Sequence, residues 1–142
     1  MVALDTNLLV YAHREDSPFH EPAWQALSHL ASSPGSWALP WPCVHEFLAI
    51  VTHPRIYNPP TPIPVALEAV QSWLDAPGVV LLCEGPDYLE TLSQLLEKGQ
   101  ISGARVHDAR IAALCVSHGV RELWSADRDF SRFPTLKVRN PL

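Results

Sequence analysis

The amino-acid sequence predicts an α/β protein whose mostly parallel central sheet is covered by helices on both faces, a three-layer α/β/α arrangement. Short apolar runs alternate along the chain with segments whose apolar residues recur at helical spacing. Strands that are separated by helices usually pair in parallel, because each helix returns the chain to the same end of the sheet. No repeat, low-complexity tract or linker divides the 142 residues, so residues 1–142 are expected to form a single domain.

Each predicted element is bounded by residues that start or stop it. The predicted strands are 2–5, 37–40, 79–83, 122–127 and 136–140. The predicted helices are 19–33, 43–53, 64–76, 87–100 and 106–119. Pro42 suits the opening of a helix, and Gly99 and Gly119 suit helix ends. The segment 54–64 contains five prolines and is expected to be an ordered but irregular loop, whereas 128–133 is expected to be a turn or a 3₁₀ segment.

Composition and motifs exclude several classes of protein. With 47% hydrophobic and 18% charged residues, the chain is typical of a globular domain rather than a disordered or membrane protein. The three cysteines are far apart, which predicts buried free thiols in a reducing compartment. No leader-like segment or long apolar run is present, so a cytoplasmic protein without a membrane partner is expected. Glycine-rich nucleotide-binding motifs and nucleophile-elbow motifs are also missing from the sequence.

The charge is distributed unevenly along the chain. The formal net charge is −5, which argues against a simple electrostatic nucleic-acid binder. Residues 1–97 carry two cationic and eleven acidic side chains, whereas residues 98–142 carry eight cationic and four acidic ones. A solvated basic face explains this asymmetry as well as a track for a polyanion does, so the asymmetry permits a phosphate-bearing partner without requiring one.

Four acids stand at the ends of predicted elements with apolar residues around them. Asp5 and Asp127 each end a predicted strand, and Glu46 and Asp108 each lie in the opening turn of a predicted helix. Ligands of parallel sheets collect beyond the carboxyl ends of the strands, so the four side chains could converge there. Taken singly, Glu46 and Asp108 could serve only the helix N-termini, worth about 0.3–1 kcal/mol, and Asp127 could be a turn residue. Asp5 is harder to explain structurally, because a buried carboxylate without a partner is costly.

A shared cation would explain the four acids together. Carboxylates that meet in one crevice repel one another unless a cation is present. A site built from carboxylates alone selects Mg²⁺ or Mn²⁺ over zinc, and Mg²⁺ usually takes only one or two direct carboxylates and several waters. Such a site supports hydrolysis of a phosphodiester. His45 and His107 each precede one of the acids and are expected to lie at the surface or behind the ligands.

The ordered set of motifs resembles a PIN-domain ribonuclease, in particular the VapC toxins of bacterial VapBC toxin–antitoxin pairs. These motifs are LDTN at the start, HE near the middle, HDARIAAL, SADRDFSRF and a final strand followed by NP. The resemblance runs from Val2 to Pro141 and implies a Mg²⁺-dependent endoribonuclease. It also implies a homodimer that is held inactive by an antitoxin, a segment of which lies across a hydrophobic groove near the active site.

The resemblance further implies roles for individual residues. Asp5 and Asp108 would be the principal metal ligands, and Glu46 and Asp127 would complete the pocket directly or through water. The residues expected to support these ligands by hydrogen bonds are Thr6, Asn7 and Ser125. SADRDF offers Asp129 as an alternative fourth acid, and Asp127 is preferred because it follows Ser125 by two residues.

Two other functions are compatible with parts of the sequence. A haloacid-dehalogenase-like phosphatase also begins with an aspartate at the end of a strand, but it needs a second aspartate two residues later, where this chain has Asn7. A non-catalytic PIN-like module would bind RNA or protein without cutting it. The four acids argue against this second alternative, because a binding module gains nothing from uncompensated buried carboxylates.

Overall fold

The computed structural model describes residues 1–128, 130 and 133–142, and its strands form one parallel sheet. The strands are β1 (Val2–Leu4), β2 (Trp37–Pro40), β3 (Val79–Leu82), β4 (Glu122–Trp124) and β5 (Lys137–Arg139). Their order across the sheet is β3-β2-β1-β4-β5, and each neighbouring pair is parallel. The predicted fold class, α/β with a mostly parallel sheet, is confirmed.

Helices connect the strands and cover the sheet. They are α1 (Thr6–His13), α2 (His20–Ser32), α3 (Trp41–Val51), α4 (Ile63–Leu74), α5 (Tyr88–Gly99) and α6 (Val106–Ser117), and a 3₁₀ turn at Gly103–Arg105 leads into α6. All four residues of β2 are buried. Because successive strand side chains point to opposite faces, this burial requires cover on both faces of the sheet. The predicted turn at 128–133 lies partly outside the described residues.

Helix α1 is the element that the sequence pattern does not predict. Its residues Thr6, Leu8, Leu9, Val10 and Ala12 are all buried, and the helix packs against α2 and α3. A helix that is buried on most sides has no polar face, so the period of 3.6 residues that identifies an amphipathic helix is hidden in an apolar run.

Three predictions about individual positions are corrected by the structure. Helix α3 begins at Trp41, with Pro42 inside its first turn, where the missing N–H of proline is not needed; Glu46 therefore lies in the second turn. Strand β4 ends at Trp124, so Asp127 follows the strand instead of ending it. Cys43 and Cys115 are buried as predicted, but Cys83 is exposed.

The helices of the described residues are all too short or too polar to cross a bilayer.

Candidate active site

Asp5 follows the carboxyl end of β1, in the centre of the sheet, and its side chain caps the N-terminus of α1. Its backbone N–H donates to the Trp124 carbonyl at 3.0 Å, which extends the pairing of β1 with β4 by one residue. Its carboxylate accepts hydrogen bonds from the Thr6 amide at 2.8 Å and from the Ser125 hydroxyl at 2.7 Å. Asp5 is only 5% exposed, so this charge has been placed in a site that is largely shielded from water.

The surroundings of Asp5 oppose its ionisation. Burial raises the pKa of Asp5, and the nearby charge of Glu46 raises it further. The hydrogen bonds from Ser125 and Thr6 act in the opposite direction and lower this pKa, but the net shift is upward. The hydrogen bonds alone therefore do not offset the cost of burying the Asp5 carboxylate.

The four predicted acids line one cavity of about 320 Å³, which we call the acid pocket. Asp5 reaches it from the end of β1, Glu46 from α3, Asp108 from the first turn of α6, and Asp127 from the segment after β4. The pocket lies where the carboxyl ends of β1 and β4 meet the helices, the usual ligand position of a parallel sheet. The structure thus brings these four side chains together, while their catalytic roles stay predictions.

Hydrogen bonds tie the acids to neighbouring polar side chains. The Thr6 hydroxyl donates to Glu46 Oε2 at 2.7 Å. The Asn7 amide donates to Ser125 Oγ at 3.2 Å and lies 3.4 Å from Asp5 Oδ2, while its oxygen accepts from the Ala126 backbone N–H at 3.1 Å. The ends of β1 and β4 are therefore cross-linked directly beneath the acid pocket.

Ser125 connects two of the acids. It is 1% exposed, donates to Asp5 through its hydroxyl, and accepts the backbone N–H of Asp127 at 3.0 Å. The second bond forms a local turn of the kind that serine favours, which ends the strand and directs the chain along the pocket. Asp129, the alternative fourth acid, lies outside the described residues.

The chemistry of the pocket fits a hard divalent cation. The side-chain donors that line it are carboxylates, hydroxyls and one amide, with no histidine or cysteine. Within the described part of the chain, no three His, Cys, Asp or Glu side chains converge closely enough to hold one ion. Mg²⁺ does not require such a cluster, since one or two direct carboxylates and several waters satisfy it.

Three residues around the acids are not singled out by the sequence pattern. The Cys43 thiol lies 3.7 Å from Asp5 Oδ1, and burial raises its pKa well above the ordinary value. Its spacing of three residues from Glu46 places both on one face of α3, a signal that sequence alone contains. Tyr11 and Tyr57 also line the acid pocket, but no spacing to the acids predicts this.

The two histidines next to the acids lie at the surface, as one of the sequence alternatives expects. His45 and His107 are exposed, and the His45 ring stacks on Trp41 with centroids 5.9 Å apart.

A larger cavity of about 640 Å³ contains none of the four acids; it is bordered by α1, α2 and α4.

Comparison with known proteins defines the class of protein. The family model for the PIN domain matches residues 2–136, so the chain belongs to the PIN-domain family. Ribonuclease VapC48 from Mycobacterium tuberculosis is 31% identical over 137 residues, which cover 96% of this chain and 94% of that protein. The predicted resemblance to VapC ribonucleases is therefore confirmed, and the phosphatase alternative is wrong.

Solved structures agree with this assignment of the fold. The crystal structure of M. tuberculosis VapC20, described as a sarcin-ricin loop cleaving toxin, superposes with a TM-score of 0.71 at 17% identity and covers 99% of this chain and all of that one. The VapBC2 complex from Rickettsia felis, bound to a DNA fragment from its promoter, gives a TM-score of 0.70 at 21% identity, covering 99% of this chain and 98% of that one.

Proposed function

We propose that this chain is a Mg²⁺-dependent endoribonuclease that acts in the cytoplasm as the toxin of a toxin–antitoxin pair. The main supporting observation is the acid pocket, in which three other carboxylates share one cavity with Asp5, whose burial raises its pKa. Membership of the PIN-domain family and 31% sequence identity to a VapC ribonuclease over nearly the whole chain support the activity. The single sheet and the family match from residue 2 to 136 support one domain over residues 1–142.

The acidic side chains of the acid pocket would have different roles in the reaction. Asp5 and Asp108 would hold Mg²⁺ directly, with Glu46 and Asp127 completing the site directly or through water. Bound Mg²⁺ would neutralise the scissile phosphate and lower the pKa of a coordinated water. Glu46, oriented by Thr6 through Oε2, would accept a proton from the attacking water.

Hydrogen bonds from Ser125 and Asn7 would keep the Asp5 carboxylate in one orientation. Groups that orient a metal ligand in this way typically contribute 10- to 100-fold in affinity or activity, as an order of magnitude.

A basic residue lies beside the acid pocket on the side of β5. A second cavity, of about 490 Å³, is lined by Ser125, Asp127 and Arg128, and it shares Asp127 with the acid pocket. RNA that passes from one cavity to the other would bring a phosphate within reach of the Arg128 guanidinium. The adjacency of the two cavities at Asp127 supports an extended RNA substrate over a small phosphomonoester.

An antitoxin and a second copy of the chain are the proposed protein partners. The R. felis neighbour is a complex of the VapBC type, which supports an antitoxin for this chain as well. Several large apolar side chains are exposed, among them Ile63, Val65 and Leu67 on α4, and they would suit an interface. Co-expression with the product of a short upstream gene is expected to give a complex that purifies as a unit, and a lone monomer under these conditions would contradict the partner proposal.

Removal of the metal tests the catalytic proposal. The purified protein is expected to cut a mixture of RNAs in the presence of Mg²⁺, to stop when EDTA is added, and to resume when Mg²⁺ is restored in excess. RNA ends mapped by sequencing would show whether cleavage is internal. Binding of RNA without Mg²⁺-dependent cleavage would support the non-catalytic PIN-like module in its place.

A further inference from the structure

Tyr57 brings an aromatic ring from a distant loop to the acid pocket. It belongs to the proline-rich segment between α3 and α4, and its side chain lines the pocket together with Asp5, Glu46, Asp108 and Asp127. The residue is half-buried, and burial raises the pKa of its hydroxyl, so the phenol stays neutral at physiological pH. A neutral, partly exposed ring beside the proposed reaction site needs a structural or a functional explanation.

Arg14, which follows α1, fixes this ring from one side. Its guanidinium carbon lies 4.2 Å from the centre of the Tyr57 ring, a cation–π distance. The same guanidinium donates from Nη1 to the Pro59 carbonyl at 3.0 Å and to Thr61 Oγ1 at 3.2 Å. Arg14 therefore joins the end of α1 to the loop on both sides of Pro59 and holds Tyr57 against that junction.

Asp16 binds two further N–H groups of Arg14. Nε donates to Asp16 Oδ1 at 2.9 Å and Nη2 donates to Asp16 Oδ2 at 2.6 Å, a bidentate pair. With its charge paired and its side chain only 12% exposed, Arg14 is poorly suited to bind a phosphate. Its contacts are those of an anchor for the loop.

Further contacts hold the loop to the body of the protein. The Thr61 backbone N–H donates to the Val51 carbonyl at 2.8 Å, and the Thr61 hydroxyl lies 3.1 Å from His13 Nε2. Arg14 borders a separate surface cleft and does not line the acid pocket. Arg14 thus covers one face of the Tyr57 ring without lining the acid pocket, whereas Tyr57 itself lines that pocket.

We propose that Tyr57 is a stacking platform for the nucleobase next to the cleaved phosphodiester, and that Arg14 is the residue that positions it. This inference rests on the proposed ribonuclease function and names a substrate contact within the same site. An aromatic ring that is fixed before binding stacks on a base without further ordering, and stacking accepts any base because every base has a π-face. The contact would orient the strand relative to the acids without adding charge to an already acidic pocket.

Variants of Tyr57 test the stacking contact. Tyr57→Ala is expected to raise the KM for a single-stranded RNA substrate by about 5- to 140-fold, the range that loss of one base–aromatic contact gives, with little change in kcat. Tyr57→Phe is expected to behave as wild type, since the ring is kept. Tyr88→Ala removes another half-buried tyrosine that does not border the pocket and serves as the matched control.

A substrate lacking one base separates stacking from a structural effect. On an RNA with a single abasic nucleotide beside the cleaved bond, the KM of the wild-type protein should rise. The factor should equal the rise in KM that Tyr57→Ala causes on intact RNA. The two changes combined should cost no more than either alone. If Tyr57→Ala and the abasic nucleotide raised KM independently, so that their effects multiplied, the proposal would be overturned. A Tyr57→Phe protein with a KM as high as that of Tyr57→Ala would also overturn it.

Arg14→Lys tests the positioning role, because lysine keeps the charge but not the planar fork. We expect a higher KM on intact RNA and no further loss on the abasic substrate; an unchanged KM would contradict the role of Arg14. If a variant does not fold, the wild-type protein with the abasic substrates still tests the proposal. An unchanged KM for RNAs that are abasic at each position next to the cleaved bond would reject the stacking platform. Failure of the wild-type protein to cut any RNA would instead reject the ribonuclease function itself.

Discussion

Asp5→Asn is expected to lower the rate of Mg²⁺-dependent RNA cleavage by more than about 100-fold, the upper end for groups that only support a metal ligand. The substitution removes the charge at the centre of the acid pocket while keeping the size of the side chain. The fold should survive, because asparagine is about as good as aspartate at the start of a helix, and the oxygen of its amide can still accept the Thr6 N–H. Asp108→Asn is expected to have the same effect on cleavage.

The measurement is the initial rate of cleavage of a labelled RNA by wild-type and variant proteins purified in the same way. Asp87→Asn is the matched control: it changes an exposed aspartate that precedes α5 and makes no side-chain capping bond, and it should leave the rate unchanged. Far-ultraviolet circular dichroism checks that each variant is folded. Cleavage by pure Asp5→Asn protein at a rate near that of wild type would remove Asp5 from the proposed metal site.

The same substitution is expected to stabilise the protein when no metal is present. Burial raises the pKa of Asp5 above its ordinary value of 3.8, so the folded protein binds this proton more tightly than the unfolded chain does. Asp5 therefore lowers the free energy of unfolding above its folded-state pKa. As the pH falls through that pKa towards 3.8, the Asp5 contribution to wild-type stability recovers, and Asp5→Asn should lack this part of the pH dependence.

Thermal unfolding in EDTA and in Mg²⁺ measures this effect. In EDTA at neutral pH, we expect a higher melting temperature for Asp5→Asn than for wild type. Addition of Mg²⁺ should raise the melting temperature of wild type, since a ligand at 100 times its Kd adds about 2.7 kcal/mol to stability, and should have little effect on Asp5→Asn. Equal responses of both proteins to Mg²⁺ would place the stabilising ion elsewhere.

The sequence predicts the strands of the sheet and the shared location of the four acids, although Glu46 and Asp127 lie at different places in their elements than predicted. Apolar runs bounded by proline and glycine mark the strands, and acids near the ends of such runs are unusual enough to identify Asp5 and Asp127, although β4 ends three residues before Asp127. Since parallel strands end at the same edge of a sheet, the order of the elements along the chain is sufficient to bring these positions together.

Features that depend on tertiary packing are not predictable in this way. Helix α1 is missed because its surroundings bury nearly every side of it, which hides the helical period of its apolar residues. The placement of Tyr57 depends on how Arg14 binds the loop around Pro59, through backbone and side-chain contacts 43 to 47 positions apart along the chain. Similarly, Ser125 reaches Asp5 across 120 positions, and only the pairing of β1 with β4 creates that contact.

The claim that the acid pocket is the metal site can be tested with crystals of this protein grown with Mn²⁺. An anomalous difference map is expected to show an ion in the acid pocket in contact with the carboxylates of Asp5 and Asp108, and the peak should disappear in Asp5→Asn crystals. Mn²⁺ peaks at other positions with none in the acid pocket, or an undiminished peak there in Asp5→Asn, would contradict the claim.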